Sequence, residues 1–217
     1  MMVDLLTFIL LSFSSIFIVI NPLAVTLIYV TLTDSMDAAA RIQVAYEANR
    51  VALIVILVFA VAGGAILQIF GISLEAFRVA GGILLFGIGM EMVYAKTSRT
   101  KMTATEKYEG IDADDIGLVP LAIPMIAGPG TITTVIVLMN ESQDFGVIAM
   151  GAILVLCLLV ILVNYYMMKH ADIITKYVGP REYRVIGRLM GMMLIAIAVQ
   201  FVITGLQQAF PILVGGL

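Results

Sequence analysis

The sequence predicts an all-α membrane protein with six transmembrane helices, arranged as two inverted repeats of three helices each. Three observations support this fold: the chain is very apolar, its positive charges fall in alternate loops, and its two halves share short motifs. Of its 217 residues, 62% are hydrophobic and only 12% are charged, whereas an ordinary soluble domain carries about 25% charged residues. A chain of this size and composition is typical of an integral membrane protein.

The same composition excludes several other classes of protein. The net charge of −3 provides no basic field for nucleic acid, and the single cysteine provides no disulfide framework. The sequence has no nucleophile triad, phosphate-binding loop or metal-ligand cluster. We therefore predict no enzyme activity, no cofactor and no metal, and a single multi-pass domain over residues 1–217 in the plasma membrane.

Six apolar segments are long enough to cross a bilayer, which takes about 20 helical residues. Only helices or closed barrels span the bilayer core, and these segments are too continuously apolar to be barrel strands. The third segment is the weakest, and the long side chains of Glu75, Arg78 and Glu91 near its ends are expected to reach the interface. Read from charge to charge, the predicted spans are 5–33, 51–74, about 75–94, 116–140, 145–168 and 189–217.

The positive charges predict the orientation of these spans. Six spans place both termini on one side of the membrane, and eleven of the twelve lysines and arginines then fall on the other side. Only Arg78 lies opposite. Because lysine and arginine concentrate in cytoplasmic loops, we expect both termini to face outside. The eleven residues are Arg41, Arg50, Lys96, Arg99, Lys101, Lys107, Lys169, Lys176, Arg181, Arg184 and Arg188.

Two short motifs recur in the second half of the chain at almost the same offset. FRVAGGILL at 77–85 resembles YRVIGRLMG at 183–191, and INPLAVT at 20–26 aligns with AGPGTIT at 127–133, so the offsets are 106 and 107 residues. With three spans in each unit, the second copy enters the membrane from the opposite side. Such inverted repeats are typical of secondary transporters. The predicted divisions are repeat one at about 1–94, a cytoplasmic connecting loop at about 95–116, and repeat two at about 117–217.

Proline interrupts the first and fourth spans near their centres. Pro22 and Pro129 each lack the backbone N–H that an interior helical residue donates, and Gly128 and Gly130 flank the second proline. In hydrocarbon, free backbone groups survive only where protein buries them or where they line a cavity. We therefore expect helices 1 and 4 to be broken near the bilayer midplane, where the two repeats meet.

The two predicted breaks form a candidate binding site that contains no charged side chain. A half-helix that starts at a proline presents unpaired amides and the positive end of its dipole, which suit a carboxylate. The carbonyls before each break suit an ammonium group or a cation. An alternative is that the prolines and glycines only kink two helices for packing. The candidate residues are Ile20, Asn21, Pro22, Leu23, Ala24, Thr26, Ala127, Gly128, Pro129, Gly130, Thr131, Thr133 and Thr134.

Roles can be assigned within this candidate site. We expect four backbone amides to hold the carboxylate, and the carbonyls near Ile20 and Ala127 to hold the ammonium group. Glu91 is the candidate carboxylate for proton coupling, although its position near the end of its span also fits an interface anchor. The four amides are those of Leu23, Ala24, Gly130 and Thr131.

The motifs around both breaks resemble those of the MarC/SnatA family, and the resemblance covers essentially the whole chain. It is carried by INPLA at 20–24, FRVAGGILLFGIGMEMV at 77–93, PLAIPMIAGPGTIT at 120–133 and the last span around 191–201. The resemblance implies a six-span bacterial or archaeal protein. The SnatA branch transports small neutral amino acids, notably glycine and alanine, whereas the substrate of the MarC branch is unclear. Other members often carry Asp-Pro at the first break, where this chain has Asn21-Pro22.

These features together predict a secondary transporter of small neutral amino acids such as glycine and alanine, working by alternating access. Three alternatives are an ion channel whose broken helices form a filter, a membrane assembly or regulatory partner, and a MarC-like protein with another substrate. The expected partners are a small zwitterionic solute, a coupling proton or cation, and membrane lipid, without nucleic acid. Glycine pairs on the helices also fit an oligomer.

Overall fold

Every regular element in the described part of the chain is helical, which confirms the predicted all-α class. The computed structural model describes residues 4–94, 117–177 and 179–210; the connecting loop predicted at 95–116 and the side chain of Arg184 lie outside it. The α-helices are α1 (Leu5–Ile20), α2 (Pro22–Leu32), α3 (Ala38–Ile69), α4 (Leu74–Val93), α5 (Pro129–Glu141), α6 (Val147–Lys169), α7 (Ala171–Tyr177) and α8 (Pro180–Ala209). A π-helix at Gly117–Ile126 precedes α5, and a 3-10 helix at Ser142–Phe145 follows it.

Five helical rods within these ranges are long and apolar enough to cross a membrane. The pair α1 and α2 forms the first rod, and α3, α4, α6 and α8 supply the other four. The remaining predicted span, 116–140, consists of the 10-residue π-helix and the 13-residue α5. At 1.5 Å per residue, α5 alone extends about 20 Å, which is shorter than the hydrocarbon core.

Two helices begin well before the apolar spans that the sequence predicted within them. α3 begins at Ala38 instead of residue 51, because Asp37 caps its first turn by accepting a hydrogen bond from the Ala40 amide at 2.7 Å. α8 begins at Pro180 instead of residue 189, and proline suits the first helical position because no N–H is needed there. The predicted spans exclude these first turns because the turns carry charged residues. The helices nevertheless start at the residues that cap them.

The two halves of the described chain interlock. α3 of the first half packs against both the π-helix and α5, and α6 of the second half packs against both α1 and α2. α4 and α8 form the most extensive helix pair and are antiparallel, because Gly89 meets Gly191 whereas Gly82 meets Ala198 further along α8. Helices that correspond in the predicted repeats therefore make reciprocal contacts.

Glycines let α4 and α8 approach closely. A Cβ built on Gly82 would lie 2.7 Å from the Ala198 carbonyl oxygen, and one built on Gly89 would lie 2.9 Å from the Gly191 carbonyl oxygen. Small residues of this kind permit close contact between transmembrane helices. By contrast, nothing lies within 4 Å of a Cβ built on Gly187. Close contact in this pair thus depends on particular glycines.

Large apolar side chains cover the outer faces of the long helices. Val61 of α3 is 73% exposed and Val155 of α6 is 61% exposed. Exposed aliphatic side chains on helices of this length suit contact with lipid, where water is absent. The buried core lies between the interrupted helices, α3 and α6. Ile20 and Ala127, one residue at each helix break, belong to this core.

Candidate functional site

Asn21 forms the first predicted break, between α1 and α2. It has φ 52° and ψ 67°, a left-handed conformation that asparagine tolerates better than most residues do. Its Oδ1 accepts a hydrogen bond from the Ala24 amide at 3.3 Å, and its Nδ2 donates to Met92 Sδ on α4 at 3.6 Å. Asn21 therefore ends α1, caps α2 and ties the break to α4.

The first break releases carbonyls at the end of α1. Pro22 has no N–H, so the Ile18 carbonyl lacks the donor that an unbroken helix would supply four residues later. The Ile20 carbonyl loses its donor as well, because the Ala24 amide is bound to the side chain of Asn21. These two carbonyls are therefore left without helical donors, whereas the Ala24 amide, which we expected to hold the carboxylate, is bound to Asn21 instead.

The second break separates the π-helix from α5 at Ala127 and Gly128. The Ala127 amide donates to the Ala122 carbonyl at 2.9 Å, which is the five-residue spacing of a π-helix. The Thr131 hydroxyl donates across the break to the Ile126 carbonyl, also at 2.9 Å. One side-chain hydrogen bond thus spans the gap between the two helical pieces.

The first turn of α5 has no side-chain cap. Gly128 occupies the capping position and offers no side chain, and Pro129 has no N–H. The first amide of α5 that is bonded within the helix is that of Ile132, which donates to the Gly128 carbonyl at 3.0 Å. The amides of Gly130 and Thr131 therefore remain as the orphan donors of this helix end. Unlike α2, α5 keeps two uncapped amides.

The four threonines predicted at the breaks are buried and donate their hydroxyl protons to their own backbone. Their protons are therefore not available to a solute, but each oxygen keeps lone pairs that can accept from an ammonium group. The four bonds, of 2.8 to 2.9 Å, run from Thr26 to Pro22, Thr131 to Ile126, Thr133 to Pro129 and Thr134 to Gly130.

The fold brings the two breaks together. A Cβ built on Gly130 would lie 3.6 Å from Cγ1 of Val19, two residues before the first break. α1 packs on α5 and α2 packs on the π-helix, and Ile20 and Ala127 belong to one buried cluster. Of the other predicted residues, Leu23 and Ala24 are half-buried, Pro129 is exposed, and the following are buried: Asn21, Pro22, Thr26, Gly128, Gly130, Thr131, Thr133 and Thr134.

Two ion pairs join the halves at opposite ends of α3. Arg41, near its start, pairs with Asp172 of α7 through Nη2 and Oδ1 at 2.9 Å. Arg78, in the second turn of α4, which follows the far end of α3, pairs with Glu141 of α5 through Nη2 and Oε1, also at 2.9 Å. α3 has 32 residues, which corresponds to about 48 Å of helix. Each end of the molecule thus has its own link between the halves.

Arg78, whose side chain we expected to reach the interface, is buried in protein instead. The residue is 1% exposed, and among the described residues its Nε has no hydrogen-bond partner. Its charge is tolerated in the interior because Glu141 compensates it. The sequence identified Arg78 as the single cation on its side of the membrane. It did not identify Glu141 as the partner, because the charge of Glu141 marks only the end of the predicted span 116–140. Glu91 is exposed in the last turn of α4.

A buried amide pair, which the sequence left undefined, connects α3 with α6. Asn164 Nδ2 donates to Asn49 Oδ1 at 2.8 Å, and Asn49 Nδ2 donates to the Ala45 carbonyl at 2.8 Å. Both side chains are at most 4% exposed. A hydrogen bond of this kind between helices stabilises their packing where no water is present.

These features define a multi-span helical membrane protein with buried asparagine and threonine side chains at two helix breaks. The family described as "MarC family integral membrane protein" matches residues 6–210. The chain belongs to this family, which confirms the resemblance that its motifs indicated. No solved structure matches the chain.

Relatives from archaea and bacteria match almost the whole chain. "UPF0056 membrane protein MJ1677" of Methanocaldococcus jannaschii is 38% identical over 94% of this chain and 98% of the relative. "UPF0056 membrane protein YvbG" of Bacillus subtilis is 36% identical over 95% and 98% of the two chains. "UPF0056 membrane protein YhcE" of Escherichia coli is 34% identical over 92% of each. The names of these relatives specify a membrane protein and no substrate.

Substitutions at Asn21 test whether this residue builds the first break. Asn21→Ala removes the cap, which lowers the free energy of unfolding by about 1 kcal/mol. It also places alanine, which has no polar side chain, in a left-handed conformation, and this costs about 1 kcal/mol more. Asn21→Gly permits that conformation and loses only a few tenths of a kcal/mol in capping. We expect unfolding in detergent to rank wild type above Gly and Gly above Ala. Equal losses in the two variants would contradict this account of the break.

Proposed function

We propose that this chain is a secondary transporter of small neutral amino acids such as glycine and alanine, working by alternating access. The observation that carries the proposal is the uncapped first turn of α5. There the orphan amides of Gly130 and Thr131, both buried residues, lie at a helix break that contacts the other broken helix through Val19. Buried orphan donors are rare in proteins and suit a ligand that accepts hydrogen bonds.

The chemistry of the two breaks complements a zwitterion. A carboxylate at the start of α5 would accept from the two amides and be favoured by the helix dipole. An ammonium group would donate to the freed carbonyls of Ile18 and Ile20 and to threonine oxygens. Both charges of an amino acid would be matched without a charged side chain. The tight packing around Gly130 favours a solute with a small side chain.

The packing supports two inverted repeats with six spans, of which the π-helix and α5 form the fourth. A pseudo-twofold axis in the membrane plane relates each helix of one repeat to an antiparallel helix of the other. α4 and α8 are antiparallel, as this symmetry requires. The reciprocal packing of α3 and α6 against the two interrupted helices is the second feature expected of this symmetry. With the positive charge bias, both termini lie outside.

The two ion pairs suit a mechanism in which one repeat rocks against the other. Alternating access requires contacts between the repeats that close one end while the other end opens. Arg78 with Glu141 and Arg41 with Asp172 link the halves at opposite ends. Each pair would therefore separate in one of the two states.

Counterflow in proteoliposomes tests the proposed function. Vesicles loaded with unlabelled glycine should accumulate labelled glycine transiently, with saturable kinetics, and internal alanine should also drive the uptake. The reason is that a carrier exchanges solutes through one alternating site. Protein-free vesicles of the same lipid are the control.

Two results would contradict the proposal. Correctly inserted protein that gives no counterflow of glycine, alanine or serine would exclude this substrate class. Ion currents without saturation or exchange would indicate a channel, in which the broken helices form a filter. In that case the same orphan amides would face permeating ions.

A further inference from the structure

One face of α4 lies across both helix breaks. Met92 accepts the hydrogen bond from Asn21 at the first break, at 3.6 Å. Two turns earlier on α4, Leu85 lies against Gly130 at the second break, and its Cγ would be 3.3 Å from a Cβ built there. α4 therefore forms a wall of the candidate site, although sequence reasoning assigned it no part in the site.

Leu85 lies beside the first turn of α5. It is 1% exposed, and its Cδ2 would overlap with any Cβ placed on Gly130. Val19 of α1 closes the same space from another side, with Cγ1 3.6 Å from that Cβ position. Branched aliphatic carbons from two other helices thus lie next to the residue that bears one of the two orphan amides.

We infer that Leu85 is the residue that limits the size of the solute side chain. The inference rests on the proposed function, because it assigns the steric limit of that same site. A carboxylate held by the amides of Gly130 and Thr131 brings the rest of the amino acid beside this wall. The terminal carbons of Leu85 and the Cγ1 of Val19 then border the side chain of the solute, so that each carbon added to that side chain presses it further against Leu85.

Leu85→Ala is the direct test, with counterflow of glycine, alanine and valine as the readout. In an apolar pocket, one methylene group changes discrimination by about tenfold or more. We expect Leu85→Ala to raise the rate of valine exchange relative to glycine by at least about tenfold. Leu84→Ala is the matched control, because Leu84 is the neighbouring residue and is 51% exposed. It should leave the ratio unchanged.

The outcomes separate this inference from the proposed function. Wild-type protein that exchanges none of the three amino acids contradicts the proposed function and with it the inference. Wild-type protein that exchanges glycine, combined with an unchanged ratio in Leu85→Ala, overturns the inference alone. If Leu85→Ala does not fold, Leu85→Val removes a single methylene and should shift the ratio in the same direction; an unchanged ratio there also overturns it.

A second measurement needs no transport. Gly130→Ala should lower the melting temperature because its Cβ meets Leu85, and adding Leu85→Ala should recover part of that loss. Recovery by Leu84→Ala instead would show that Leu85 does not occupy this space, and would overturn the inference.

Discussion

Replacing Glu141 with alanine is expected to lower the free energy of unfolding by about 3 kcal/mol, because it leaves a buried arginine without its counter-charge. Only 2% of the Arg78 side chain is exposed, so the guanidinium cannot regain water without moving the helices. We place the effect at the lower end of the usual range because 38% of the Glu141 side chain is exposed, and solvent screens part of the pair. Chemical or thermal unfolding in detergent measures the change.

Three further variants make this prediction specific. Arg78→Leu should destabilise less than Glu141→Ala, because the carboxylate left behind can reach solvent. The double variant Arg78→Leu with Glu141→Leu should return towards wild type, since apolar replacement of both partners leaves no buried charge. Asp172→Ala is the exposed control and should stay within about 1 kcal/mol of wild type, because 77% of that side chain is exposed. A loss in Glu141→Ala no larger than in Asp172→Ala would refute the account.

Gly130→Leu is expected to abolish counterflow of glycine and alanine. Gly130 carries one of the two orphan amides, and a leucine there would occupy the space in which the solute must lie. The new side chain would also press on Leu85, so we expect a loss of about 1–3 kcal/mol in stability from overpacking. Initial rates in proteoliposomes, normalised to the amount of inserted protein, measure the effect.

Two glycine variants separate a blocked site from general overpacking. Gly87→Leu lies on α4 with nothing within 4 Å of its Cβ position, so it should transport normally. Gly63→Leu presses α3 against Ile136 of α5, where a Cβ would be 2.7 Å from Cδ1, and should lose stability without losing the site. If Gly63→Leu and Gly130→Leu, at equal stability, lost transport equally, the site would not lie at the second break.

The helix breaks could be predicted from sequence because their cause is local. Pro22 and Pro129 lack a backbone N–H in any fold, and Gly128, beside the second proline, has no side chain that could cap a helix. These properties depend on residue type alone. The number and place of the interrupted helices therefore followed from the chain without knowledge of its packing.

The hydrogen-bond partners at the breaks could not be predicted in the same way. Asn21 takes the Ala24 amide through its side chain, and the threonine hydroxyls bond to carbonyls of the preceding turn. Several partners lie within reach of each of these groups, and rotamers chosen by the packed neighbours decide among them. The folded arrangement therefore decides which partner the Asn21 side chain and the threonine hydroxyls take.

The sequence by itself determined the membrane class, five of the six predicted apolar spans, the two helix breaks and the family, because hydropathy, charge and proline act over a few neighbouring residues. The tertiary structure alone decided that Arg78 is buried against Glu141 and that Leu85 covers Gly130. These contacts join helices far apart in the chain. Their geometry depends on how α4 packs against α5, and no local pattern encodes that packing.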